Sequence, residues 1–150
     1  MKMLNKDTFH TDRAKYQLAN QGVSRVSFPP TQEAMDTLRG ELSTFVCDGA
    51  YADGLARILE GFLGYIGKGS GAPAAWISGF YGSGKSHMAG MLAALWTNLQ
   101  FEDGATAEGL IPHLPPEVLA PIKELRIAAQ RAGGVIAAGD TLGTGPSDPA

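Results

Sequence analysis

One run, Gly79-Phe80-Tyr81-Gly82-Ser83-Gly84-Lys85-Ser86, constrains this chain more than any other, because it fills every fixed position of the phosphate-cradling pattern G-x-x-x-x-G-K-[ST]. The residue types match a physical task. A triphosphate needs several backbone N–H groups converging at close range, and Gly82 and Gly84 permit the positive φ and close approach that such a nest requires. A helix starting near Lys85 adds its unpaired first-turn N–H groups and the positive end of its dipole. Lys85 supplies an ammonium for the β- and γ-phosphates, and the Ser86 hydroxyl is the expected ligand to Mg²⁺. The residues from Gly79 to Ser86, with Phe80, Tyr81 and Ser83 between the fixed positions, are therefore the expected nucleoside triphosphate site. His87, next in line, either faces the phosphates or hydrogen-bonds the expected sheet.

The flanks set the expected fold. Ala74-Ala75-Trp76-Ile77-Ser78 is short, apolar and uncharged, as a strand buried on both faces of a parallel sheet would be. After the motif, Met88, Met91, Leu92, Leu95, Trp96 and Leu99 recur on one helical face. Residues 67–100 hold Lys68 and Lys85 and no Asp or Glu, so the local charge favours an anion. A second strand at Val135-Ile136-Ala137-Ala138 would complete a right-handed β-α-β unit. The expected class is thus α/β, an incomplete P-loop core of strand, phosphate-binding loop, helix and second parallel strand, preceded by a helical hairpin.

That hairpin is written upstream. Pro29-Pro30-Thr31 punctuates the chain, Thr31 is the expected N-cap, and Met35, Leu38, Leu42, Phe45 and Val46 form a stripe ending near Asp48-Gly49. A second helix from about Tyr51 carries Leu55, Ile58, Leu59, Phe62, Leu63 and Ile66. Trp76, Ile77, Met91, Leu92 and Leu95 are expected to share one core with Leu55, Leu59 and Phe62. Residues 101–114 read as loop. Another helix runs from Pro115 or Pro116 to Ala132, with Val118, Ile122, Leu125 and Ala129 on one face and Gly133-Gly134 closing it. Three parts follow: an arm at 1–29, the nucleotide-binding part at 30–138, and a flexible Gly- and Pro-rich tail at 139–150.

Composition limits the function classes. With 150 residues, 44% of them hydrophobic, the chain can build one domain with a core. A net charge of -3 indicates no general affinity for nucleic acid. The arm is locally basic, with Lys2, Lys6, Arg13, Lys15 and Arg25 against Asp7 and Asp12; contact with DNA or a partner is its second reading after simple solvation. The single cysteine, Cys47, excludes an internal disulfide and reads as a buried thiol. The start lacks the apolar core of a signal peptide and no run approaches a membrane span, which points to the cytoplasm. His10 and His113 have no partners at metal-ligand spacing. Turnover needs a strand carboxylate on Mg²⁺ and a positioned water; Asp140 is the one candidate, and a loop carboxylate is its first reading.

The stretch from Trp76 to His87, with its Gly-Phe-Tyr-Gly-Ser-Gly-Lys-Ser-His run, resembles the N-terminal end of the large P-loop ATPases of bacterial BREX-type phage-defence systems. The resemblance extends upstream through Phe45-Val46-Cys47-Asp48-Gly49 and Tyr51-Ala52-Asp53-Gly54-Leu55, and it implies that residues 133–143 continue the ATPase core. It implies ATP and Mg²⁺ at Gly79, Gly82, Gly84, Lys85 and Ser86, and as partners other defence-system proteins or further copies of the ATPase. The later acidic strand and the arginine finger have no counterpart here, so hydrolysis is expected to need segments outside these 150 residues. Two other classes stand beside this one. A small P-loop kinase would need a lid with several arginines, and only Arg126 and Arg131 follow the motif. A non-catalytic interaction module would keep the loop for structure alone.

Overall fold

The computed structural model describes residue 30, residues 32–66 and residues 73–139. The expectations for the arm at 1–29, for Thr31 as an N-cap, and for Asp140 and nearly all of the tail lie outside them. Five helices follow in order: α1 (Gln32–Ser43), α2 (Gly49–Leu63), α3 (Lys85–Thr97), α4 (Ala107–Leu110) and α5 (Pro116–Ala132).

Local chemistry sets most of these boundaries. The Ser43 and Thr44 hydroxyls both donate to the Gly40 carbonyl, at 2.8 and 3.0 Å, and α1 stops there. Asn98 ends α3 in the left-handed region at φ 46°, and the next N–H, of Leu99, reaches back to the Ala94 carbonyl. Thr106 caps α4 by accepting from the Gly109 N–H at 3.2 Å. Helix α5 opens on Pro116, continues through a buried Pro121, and closes on Gly133 at φ 97°, with the Gly134 N–H on the Ala129 carbonyl.

The helices bury their stripes against one another. Helix α2 lies along α5, while α3 touches both α4 and α5, and α4 also meets α1. Leu42, Leu55, Leu59, Met91, Leu95 and Val118 are the largest fully enclosed side chains; Ile122, Leu125 and Cys47 join the same core. At the surface of this core the Arg39 guanidinium makes two bonds to the Asp103 carboxylate, at 2.7 and 3.0 Å, and lies over the Phe101 ring. Arg126 Nη2 and Glu108 Oε2 meet at 2.7 Å out of solvent, joining α5 to α4 by charge without a well-directed hydrogen bond. No described helix is long and apolar enough to cross a membrane.

The α/β expectation is overturned. Among the described residues there is no strand and no sheet, and the fold is helical. Residues 74–78 form no strand and pair with no other segment among the described residues, and Trp76, expected in the core, is 91% exposed. Residues 135–138 form no second strand, and Ile136 is 88% exposed. The cause is apolar area. A parallel pair is stable only with both faces covered, yet Trp76 and Ile136 lie open to solvent and four of these nine residues are alanines that add little area. Helices α2 and α3 meanwhile pack on α5 and bury their central side chains there. Two smaller corrections have the same local character. Val46 and Ile66 are exposed, because α1 ends at Ser43 and α2 at Leu63, so neither residue continues the helical phase of its stripe.

Candidate phosphate-binding site

The motif keeps its expected local form although the sheet beneath it is missing. The Ser83 N–H donates to the Phe80 carbonyl at 3.2 Å, closing a turn over residues 80–83. Gly82 at φ 77° and Gly84 at φ 82° are both left-handed, a conformation costly for any residue with a Cβ. Gly84 is also the N-cap of α3. No side chain caps this end and no acid lies in its first turn. The Met88 N–H takes the Gly84 carbonyl at 2.8 Å as the first helical bond. By helix geometry the N–H groups of Gly84, Lys85, Ser86 and His87 therefore have no acceptor one turn earlier.

Lys85, the first residue of α3, folds back across the loop. Its ammonium donates to the carbonyls of Phe80 at 2.7 Å and Gly79 at 3.0 Å, and lies 3.5 Å from the Ser83 hydroxyl. The turn is tight at its base as well. A Cβ on Gly79 would come within 2.7 Å of Ser83 Oγ. The loop stands at the surface, with Phe80 and Tyr81 about nine-tenths exposed.

All nine expected site residues, 79–87, are thus contiguous around one helix terminus. Three neighbours are not legible in the motif. Tyr51, in the first turn of α2, donates from its hydroxyl to the Gly84 carbonyl at 3.5 Å. Its ring meets Phe45 edge-on, with centroids 5.4 Å apart, and Phe45 in turn meets the His87 ring edge-on at 5.7 Å. His87 Nδ1 lies 3.8 Å from Glu41 Oε2, so this side chain is turned towards the hairpin. Burial, and secondarily the nearby Cys47 and Glu41, pushes the Tyr51 phenol up to about 12. Tyr51 stays a neutral donor at every physiological pH.

Uncapped N–H groups, two left-handed glycines and one flexible ammonium supply convergent donors and positive charge, the needs of a phosphate chain. Ser86, the expected Mg²⁺ ligand, is the second residue of α3. No group of three His, Cys, Asp or Glu side chains able to hold a metal exists among the described residues. Such an ion would take most of its ligands from phosphate and water, as Mg²⁺ does in phosphoryl sites. His113 is exposed, and Cys47 is buried, with burial raising its thiol pKa. His10 lies outside the described residues. Comparison of the chain with protein-family models, with curated proteins and with solved structures gave no match.

Proposed function

We propose that residues 79–86 bind ATP through its phosphates, with Lys85 on the β- and γ-phosphates, first-turn N–H groups of α3 on the same oxygens, and Ser86 on Mg²⁺. One observation carries the reading: a 13-residue helix begins at Lys85 with an uncapped N-terminus, immediately after two glycines at positive φ. The uncapped end matters because N-terminal donors are ordinarily satisfied by a Ser, Thr, Asp or Asn side chain, and here the sequence leaves them open. The chemistry of the set is binding and orientation; when bound, Mg²⁺ would screen the phosphate charge.

The larger context we propose rests on the resemblance of residues 45–55 and 76–87 to BREX-type phage-defence ATPases: an ATP-binding part of such a protein, cytoplasmic, acting with further copies or with other defence proteins. Titration calorimetry with a non-hydrolysable ATP analogue and Mg²⁺, on wild type and Lys85→Ala, tests the site. The expected result is saturable binding by wild type, weakened about tenfold or more in the variant, the worth of one charge-assisted contact of about 1.5–3 kcal/mol. Equal binding by the two proteins overturns the role given to Lys85.

A further inference from the structure

Residues 73–78 lead directly into the phosphate loop and run beside α2. A cleft of about 450 Å³ separates them from α2, lined on the helical side by Gly54, Arg57, Ile58, Gly61 and Phe62 and closed towards α3 by Met88. Its volume falls within the range of small-molecule sites. A Cβ on Gly54 would meet Met88 Cε at 2.8 Å, so the methionine tip reaches the α2 backbone there; Gly61 has nothing within 4 Å of where a Cβ would stand. Its lining includes Ser78, the residue just before the loop, and Met88, in the first turn of α3.

We propose that this cleft takes the nucleoside end, a purine base and its ribose, of the triphosphate whose phosphates lie on residues 79–86; the inference rests on that reading of the loop. Three features suit that occupant. Ile58, Phe62 and Met88 give the cleft apolar walls, and Phe62, braced edge-on by Trp96 at 5.2 Å, offers an aromatic ring to a base. Residues 74–78 make no backbone hydrogen bond to another segment among the described residues, so their N–H and C=O groups are free to pair with the edge of a base as a neighbouring strand would. Arg57, exposed at the rim, offers a planar guanidinium that stacks on a base or bonds the ribose hydroxyls. The failed strand thereby acquires a use: its missing sheet partner leaves donors and acceptors for a ligand.

The test separates the two ends of the ligand. Gly61→Leu fills the cleft from a helical position where leucine is a better helix former than glycine, so the fold is retained. Binding of Mg²⁺-ATP and of inorganic tripolyphosphate is measured by calorimetry on wild type, Gly61→Leu and Arg57→Ala. The proposal expects wild type to bind ATP more tightly than tripolyphosphate. It expects Gly61→Leu to weaken ATP about tenfold or more, and Arg57→Ala to weaken it less, while tripolyphosphate changes by under about twofold in both. ATP affinity unchanged in Gly61→Leu, or ATP and tripolyphosphate weakened equally, overturns the cleft assignment and leaves the loop reading standing. So does a wild-type chain that binds tripolyphosphate as well as ATP. A wild-type chain that binds neither overturns the loop reading and the cleft with it.

Discussion

Replacing Leu95 and Trp76 in turn distinguishes the helical core from the sheet that the motif leads one to expect. Leu95 is 1% exposed and shares the central cluster with Met91, Leu55 and Leu59. Leu95→Ala removes three carbons from that interior, a transfer loss of about 2.4 kcal/mol at about 0.8 kcal/mol per buried carbon. The cavity left behind raises the total into the range of about 2–5 kcal/mol. For a domain of roughly 100 ordered residues that lowers Tm by about 10 °C or more. Trp76→Ala removes more atoms, but the indole is 91% exposed, so the expected change is within about 0.5 kcal/mol. In a strand covered on both faces the same substitution would cost about 3–5 kcal/mol. Thermal melts followed by far-ultraviolet circular dichroism decide the matter. A Trp76→Ala protein that melts as low as Leu95→Ala would show that residues 74–78 are buried after all.

Three further outcomes can be checked on the same chain. Gly84→Ala forces a Cβ into the left-handed region and should destabilise by about 1–2 kcal/mol, whereas Gly40→Ala, with open space around it inside α1, should stabilise by about 0.5–1 kcal/mol; urea midpoints give both signs. The Arg39 guanidinium, then the Ala105 N–H, hold the Asp103 carboxyl below its ordinary range, so this group contributes stability that is present above the ordinary carboxylate pKa and lost as pH falls through the depressed value; acid melts of Asp103→Asn should lack that component. Tyr51 has the opposite sign. Its folded pKa of about 12 exceeds the usual value near 10, so stability should fall as pH rises through that interval, and Tyr51→Phe should flatten the alkaline slope.

Helices were legible where the signals were local. Pro116 at the start of α5, Gly133 at its end, and Val118, Ile122, Leu125 and Ala129 between them are a complete description written in consecutive residues. Residues 74–78 and 135–138 failed for the converse reason: a strand exists only through a partner, and a short apolar run does not carry that information. The core residues Met91 and Leu95 were read correctly through helical spacing, while Trp76 was misplaced because hydrophobicity was taken for burial. At the site, composition and order gave the glycines, Lys85 and Ser86. The approach of Tyr51, Phe45 and Glu41 to the same helix end could not be read, since it depends on how α1 and α2 settle against α3.

On the proposed reading, the position of Lys85 would make phosphate binding an exchange. Its ammonium already serves the Gly79 and Phe80 carbonyls, so a phosphate that recruited it would have to release two existing bonds. The affinity would then be the difference between two sets of contacts. A single weakly charged anion has little with which to outbid the loop, whereas a polyphosphate that also engages the helix N–H groups has more. The same charge that pins the loop in the free chain is the one a ligand would claim, so ligand capture and loosening of residues 79–83 become one event. Removing the lysine therefore takes away a latch as well as a contact, and the loss of affinity in Lys85→Ala has to be read together with the mobility of the loop it leaves behind.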